Sequence, residues 1–269
     1  MRIGIVCSRK DTASAMMAEH IINEYGLGER GGKSGSYGIG DITLYMVDQA
    51  LWACDGADSL KMDLLFFASR HSSAGGVPAL TVHSMGNWGK ENRLGGMPKE
   101  LSAAAPVPML SAFRQMNGIE TGIERVYEAT HHGPLLRTPA LFAEMGGTAE
   151  AAADGALAAK AGSAVYNAAL ETAAGAADYQ KIAIGIGGGH YPGTFSHLAL
   201  ERGYAFSYIM PKYAMHNSDG TGNLDMVGQA VERTKNLDVA VIDWKGLTGE
   251  TRAGVVTALN GFGVEYERI

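Results

Sequence analysis

Short apolar runs alternate along the chain with longer amphipathic stretches, the order expected of strands joined by crossover helices. Several of these runs lack a period of two, as strands buried on both faces of a sheet do. The pattern predicts strands at residues 2–7, 43–48, 63–69, 79–83, 125–132, 181–187, 205–210 and 238–243. It predicts helices at residues 11–25, 107–117, 149–175, 195–202, 222–235 and 248–260. We therefore expect an α/β fold.

An alanine-rich run and a glycine-rich run interrupt this alternation. Residues 149–175 favour a packed helix over a linker, because alanine is a strong helix former and the apolar spacing continues. Residues 26–41, GLGERGGKSGSYGIGD, predict a flexible loop. No internal repeat or boundary is visible, so we expect one domain over residues 1–269 with a helical excursion at about 149–177.

Composition narrows the class of protein. A formal charge of −6 over 269 residues argues against bulk electrostatic binding of nucleic acid and gives no reason to expect DNA as a partner. Cys7 and Cys54 form no CxxC motif, which argues against a disulfide framework or a cysteine zinc site and favours a reducing compartment. The uncharged run in MRIGIVCSRKD is too short for a signal sequence or a membrane span. We expect a cytoplasmic protein.

The first candidate motif is IGIGGGHYPGTF, residues 184–195. A glycine run after a strand lets backbone N–H groups approach a ligand at the sheet edge where α/β proteins bind ligands. The dinucleotide pattern GxGxxG fails, because His190 and Pro192 stand where glycine is required. The motif therefore predicts a glycine cradle for an oxyanion or phosphate with an imidazole at its edge, or alternatively a tight turn with a capping histidine.

The second motif is VYEATHHGP, residues 126–134. On an extended strand Glu128 and His132 share one face while His131 faces the other way. Glu128 and His132 would then lie about 13 Å apart, too far to share a ligand. We expect the two histidines not to bind one metal ion unless the strand kinks. Their position at a strand end before Gly133 favours a functional role over a structural one.

The third motif is SRHSSAGGVPALTVHSMGNWG, residues 69–89. Arg70 suits a phosphate or carboxylate, and Trp88 could stack on a base or sugar. Together with the neighbouring serines and histidines they predict the lining of a polar pocket. No GxSxG elbow surrounds the serines, which argues against a Ser-His-Asp hydrolase.

The chain resembles the archaeal- and plant-type D-aminoacyl-tRNA deacylases in the order and separation of four motifs: SRHSSAGGVPALTVHSMGNWG, YEATHHGPLLRTPALFAEMGG, GIGGGHYPGTF and GYAFSYIMPKY. The resemblance runs from about Asp63 to Tyr213. It implies a phosphorylase/hydrolase-like three-layer α/β/α sandwich with a mostly parallel or mixed central sheet. It also implies hydrolysis of the ester between a D-amino acid and the 3′ end of tRNA, with zinc as cofactor and aminoacylated tRNA as partner. We expect a monomer or small homo-oligomer.

The resemblance also implies site residues. The expected catalytic residues are His190, His132, His131, Glu128 and His71. The residues expected to bind substrate or tRNA are Arg70, Ser72, Asn87, Trp88, Gly187, Gly188, Gly189, Tyr191, Lys212 and Tyr213. The expected metal ligands are His83, His132 and His190, which come from different strand ends. No zinc signature such as HExxH supports this ligand set.

Two other functions remain open from the residues. An aminopeptidase or nucleoside phosphorylase-like enzyme on the same scaffold would share the glycine cradle. A non-catalytic module that binds the tRNA end would bind tRNA without releasing an amino acid, although the acidic charge balance argues against high affinity.

Overall fold

The structure is a computed structural model that describes residues 1–30, 35–216, 220 and 222–269. The strands of these residues are β1 (Ile3–Ser8), β2 (Gly28–Glu29), β3 (Ser36–Ile39), β4 (Ile42–Val47), β5 (Leu64–Ser72), β6 (Ala79–His83), β7 (Gly86–Asn87), β8 (Glu100–Leu101), β9 (Glu124–Tyr127), β10 (Ala140–Gly147), β11 (Lys181–Ile186), β12 (Tyr204–Met210), β13 (Val239–Ile242) and β14 (Tyr266–Arg268). The helices are α1 (Thr12–Glu24), α2 (Pro106–Asn117), α3 (Ala149–Ala152), α4 (Gly155–Ala173), α5 (Gly193–Arg202), α6 (Asp225–Arg233) and α7 (Gly249–Gly261).

Within the described residues, eight strands form a mixed sheet in the order β2-β3-β4-β1-β5-β10-β6-β9. Strands β4, β1, β5 and β10 are parallel, whereas β6 is antiparallel to β10. A second sheet, β12-β11-β13-β14, is parallel throughout, and its strands are connected through α5, α6 and α7. The predicted α/β fold with a mixed central sheet is confirmed, and β11 to β14 form a separate sheet.

Alternating side chains of the large sheet build two apolar layers. Ile5 of β1 and Phe66 of β5 belong to one core cluster with α1, α2 and α4, while Val6 and Phe67 belong to another with the short helical segment around Leu51. A strand presents successive side chains to opposite faces, so each central strand contributes to both layers. This double burial explains the unbroken apolar runs of the sequence.

The alanine-rich run is helical and packed, as predicted, but it forms two helices, α3 and α4, which are separated at Ala153 and Asp154. Asp154 caps α4 by accepting hydrogen bonds from the N–H groups of Ala156 and Leu157. Small residues let α4 approach α1 closely, because a Cβ on Gly162 would lie 3.0 Å from the Met17 carbonyl oxygen. Among the described residues, no helix has the length and apolar character needed to cross a bilayer.

Three predictions about local structure are wrong. The sequence pattern gave no element at residues 140–147, where β10 lies at the centre of the large sheet. Residues 26–41 contain the β2–β3 hairpin instead of a continuous loop, and residues 31–34 of that prediction lie outside the described part. The predicted strand 125–132 ends at Tyr127. Residues of β10 such as alanine, leucine, glutamate and methionine favour helix, and burial between β5 and β6 overrides that preference.

Candidate active site

Histidine and glutamate side chains from separate elements converge beside the large sheet. Each comes from a strand end, from a loop after a strand or from the central strand β10. The group comprises His71 of β5, His83 of β6, Glu128, His131 and His132 after β9, Glu144 of β10, and His190 between β11 and α5.

The segment after β9 turns away from the sheet, and the extended-strand prediction for Glu128 to His132 is wrong for that reason. The Ala129 N–H donates to the His190 carbonyl oxygen at 2.8 Å, and the Thr130 N–H donates to the Ile209 carbonyl oxygen at 3.0 Å. His132 has a φ of 43°, in the left-handed region that few L-residues adopt. The kink that the sequence argument required is therefore present, and it brings both adjacent histidines towards His83.

His83, His131 and His132 each offer one ligand atom, and these atoms lie within 4.8 Å of one another. The Nδ1 atoms of all three rings bond to backbone carbonyl oxygens, those of Ser84, Ala129 and Gly133 respectively, at 2.8–3.0 Å. A carbonyl only accepts, so each Nδ1 carries the proton and each Nε2 keeps its lone pair. We call this group the histidine triad.

The environment keeps the triad neutral. Desolvation and the neighbouring His132 lower the pKa of His83 to about 3. Desolvation, together with His83 and His132, lowers the pKa of His131 well below its ordinary value. Burial also lowers the pKa of His132. The His83 Nε2 atom is buried and has no hydrogen-bond partner among the described residues. Neutral imidazoles with open Nε2 atoms are the ligands that zinc takes in three-histidine catalytic sites, so these residues fit the metal.

The predicted ligand set of His83, His132 and His190 is not brought together. Among the described residues, the metal-competent groups are the triad, Glu128 with His131 and His190, and His71 with Glu128 and Glu144. His190 Nε2 lies 2.9 Å from Glu128 Oε2 and is already engaged. His131 takes the place in the triad that the sequence argument gave to His190.

Glu128 connects three histidines although it is only 2% exposed. Its Oε2 atom accepts from His190 Nε2 at 2.9 Å and lies 3.7 Å from His131 Nε2. Its Oε1 atom lies 3.0 Å from His71 Nδ1. Burial alone would raise the pKa of Glu128, but the contacts to His190 and His71 hold it well below its ordinary value.

Glu144 is the site residue that the sequence analysis missed. Its Oε2 atom lies 3.6 Å from His71 Nδ1 and 3.9 Å from His83 Nε2. Burial raises the pKa of Glu144 to about 7. Burial would lower the pKa of His71, but Glu128 and Glu144 together raise it to about 10. A single carboxylate within the apolar run ALFAEM was the available signal, since buried carboxylates are rare without a partner.

Two cavities share His131 and His132 of the triad in their linings. The larger, of 720 Å³, and the smaller, of 330 Å³, are both lined by His131 and His132. The larger cavity also includes His71, Glu144 and His190 in its lining. Both volumes lie in the range of small-molecule sites.

The glycine run turns the chain so that His190 lies over Glu128. Gly187 has a φ of 105°, and an added Cβ would lie 2.9 Å from the Asp243 Cβ. The Gly187 N–H donates to the Met210 carbonyl oxygen. Gly187, Gly188 and Gly189 are absent from the lining of both cavities, so the structure places the expected cradle beside the triad cavities and not within them.

Two tyrosines contact the histidines. Tyr213 is 57% exposed, and its hydroxyl lies 2.9 Å from His190 Nδ1. The Tyr191 hydroxyl lies 3.2 Å from His71 Nε2. Both tyrosines were expected near substrate, and each lines one of the two cavities.

The other expected binding residues divide between surface and core. Arg70 and Ser72 are exposed and line the larger cavity. Lys212 is exposed and lines neither cavity. Asn87 donates to the Gly95 and Met97 carbonyl oxygens and so holds a loop. Trp88 is 5% exposed and donates to the Thr130 carbonyl oxygen, so its burial favours a structural role over the expected base stacking.

The chain is similar to known proteins in sequence and in fold. A family model described as D-aminoacyl-tRNA deacylase matches residues 58–267. A protein named D-aminoacyl-tRNA deacylase from Thermococcus kodakarensis is 34% identical over 281 residues, covering 98% of each chain. One of the same name from Methanocaldococcus jannaschii is 30% identical over 283 residues, covering 100% of each chain. A crystal structure of AF0625, titled a conserved protein of unknown function, has a TM-score of 0.87 at 26% identity and covers 99% of this chain and 95% of that chain. The resemblance found in the sequence is confirmed: the chain belongs to the D-aminoacyl-tRNA deacylase family.

Proposed function

We propose that this protein hydrolyses the ester bond of D-aminoacyl-tRNA and releases free D-amino acid and tRNA. The observation that carries the proposal is the histidine triad, of which His131 and His132 line two ligand-sized cavities while His83 lies buried behind them. Membership of the family supports the choice of substrate. Ester hydrolysis needs an activated water and stabilisation of a developing oxyanion, and both must act at one point between the two halves of the substrate.

The triad is the proposed zinc site. His83, His131 and His132 would hold the ion through Nε2, because their Nδ1 atoms are bonded to the backbone. When bound, zinc supplies Lewis-acid polarisation and lowers the pKa of a coordinated water. Glu128 and His190 form a carboxylate–histidine pair outside the triad, and this pair remains available for proton transfer.

His190 has the geometry of a general base. The Glu128 carboxylate accepts from His190 Nε2, so the proton is on Nε2 and the lone pair is on Nδ1. The Tyr213 hydroxyl donates to this Nδ1 lone pair at 2.9 Å, so the attacking water must take the place of the exposed Tyr213 hydroxyl. In our proposal His190 Nδ1 takes a proton from the attacking water, while Glu128 orients the ring and stabilises its charged form. His71, held between Glu128 and Glu144, fixes the position of Glu128.

All of these residues belong to one chain, so the proposal requires no second subunit, and we expect a monomer or small homo-oligomer. A tRNA substrate and two buried free cysteines support a cytoplasmic location.

The test is incubation of the purified protein with D-Tyr-tRNA and with L-Tyr-tRNA, with release of tyrosine as the readout. We expect release from the D-substrate and much slower release from the L-substrate. Equal rates would refute selection by chirality. A shift of tRNA on a native gel without release would indicate a binding module, and hydrolysis of neither substrate would refute the proposed function.

A further inference from the structure

The two cavities that share His131 and His132 suggest how the substrate lies. This inference rests on the proposed function. The bond to be cleaved joins the ribose of the terminal adenosine to an aminoacyl group, so the two halves of the substrate extend in different directions from the reacting carbonyl. His131 and His132 are shared by both cavity linings. If the reacting carbonyl of the substrate lies at these two histidines, one half of the substrate extends into each cavity.

The larger cavity is lined by the cations Lys10 and Arg70 and the acids Asp11 and Glu144, and the smaller cavity by Lys90 and Glu91. Lys10 and Arg70 line the larger cavity, both are exposed, and neither forms a salt bridge within the described residues. The nearby Asp11 carboxylate already caps α1 at the Ser14 N–H and accepts from the Arg70 backbone N–H. Two side-chain cations without carboxylate partners, in a chain of net charge −6, form a local site for a phosphate.

The larger cavity also offers an aromatic surface. Trp52 lines it and is 39% exposed, whereas Trp88 in the smaller cavity is 5% exposed. An exposed indole at a concave site is suited to stack on a nucleobase, since every base presents a π-face. A Cβ on Gly95 would lie 1.9 Å from the Trp52 carbonyl oxygen, so the loop containing Gly95 packs directly against Trp52 and supports it.

Size agrees with this assignment. An adenosine 5′-phosphate unit is larger than any standard aminoacyl group, and the two cavities measure 720 and 330 Å³. The smaller cavity has buried Gly86, Trp88 and Ala214 in its lining and half-exposed Tyr213 at its edge.

We propose that the larger cavity binds the 3′-terminal adenosine of tRNA, with its 5′-phosphate on Lys10 and Arg70 and its adenine on Trp52, and that the smaller cavity receives the aminoacyl group. The RNA then leaves the site on the Arg70 side of the triad. This path differs from one along Lys212, which lines neither cavity.

The probe is the uncharged trinucleotide CCA, whose binding to the full chain is measured by titration calorimetry and does not depend on catalysis. We expect Lys10→Ala/Arg70→Ala to weaken binding about ten-fold or more and to reduce its salt dependence, because charge-assisted phosphate contacts are lost. The control Lys235→Ala/Lys245→Ala removes the same charge from exposed residues outside both cavities and should leave binding unchanged. Equal binding by the first variant and the wild type would overturn the proposal, as would an equally large loss in Lys212→Ala.

A second measurement tests the stacking. CCA should quench tryptophan fluorescence of the wild type and fail to do so in Trp52→Phe, because Trp88 is buried and Trp244 lines neither cavity. Quenching that persists in Trp52→Phe would contradict the assignment of the adenine. These outcomes can be distinguished from failure of the proposed function. If only the proposed function were wrong, CCA would bind with the expected pattern and D-Tyr-tRNA would not be hydrolysed.

Discussion

Replacing His190 with alanine tests the proposed general base. The side chain is 34% exposed, makes two side-chain hydrogen bonds, to Glu128 and Tyr213, and packs against the rings of His131 and Tyr191. General acid–base groups contribute about 10²- to 10⁴-fold, so we expect kcat for D-Tyr-tRNA to fall by about two to four orders of magnitude.

The fold should survive this change. Glu128 Oε2 loses its partner at 2.9 Å and keeps His131 at 3.7 Å. Leaving a buried carboxylate under-satisfied costs about 1–3 kcal/mol, which is well below the 5–15 kcal/mol that typically separates folded from unfolded protein. We expect a decrease in Tm of about 2–10 °C, measured by circular dichroism alongside single-turnover kinetics.

His197→Ala is the matched control. His197 lies on α5, is 67% exposed and pairs with exposed Glu201, so its loss should change neither kcat nor Tm appreciably. A folded His190→Ala protein with the activity of the wild type would refute the role of His190 as a base, and the glycine run would then serve only to turn the chain.

Three further outcomes follow from the site and its surroundings. EDTA should abolish turnover and added zinc restore it, and His132→Ala should lose bound zinc by elemental analysis; full zinc content in this variant would exclude the triad as the metal site. Glu144→Gln should lower the free energy of unfolding by about 1–3 kcal/mol, because buried His71 keeps only one carboxylate, and an unchanged denaturant midpoint would contradict this. Asp58 accepts from the N–H groups of residues 137 and 138, which lower its pKa against the effect of burial, so Asp58→Ala should lower Tm at neutral pH by a few degrees at most. The contribution of Asp58 to stability is complete above the ordinary aspartate pKa of about 3.9. It is lost as the pH falls through the lower pKa that Asp58 has in the folded protein, so the melting curves of the wild type and Asp58→Ala should converge in acid.

The sequence determined the fold class and the chemistry of the site. Apolar runs alternating with amphipathic stretches gave α/β, because periodicity records which faces of an element are buried. Four ordered motifs gave the family and most of the converging residues, including His71, His83 and His190. These are local properties of the chain, so no tertiary information was needed to find them.

Only the tertiary structure decided how these residues are grouped. Which histidines face one another depends on a turn after Tyr127 and on hydrogen bonds to Ile209 and His190, which are distant in sequence. Glu144 stayed hidden because its strand is made of helix-favouring residues and forms through pairing with β5 and β6. Strand order and the division into two sheets depend on the same non-local pairing, which hydrophobic periodicity does not encode.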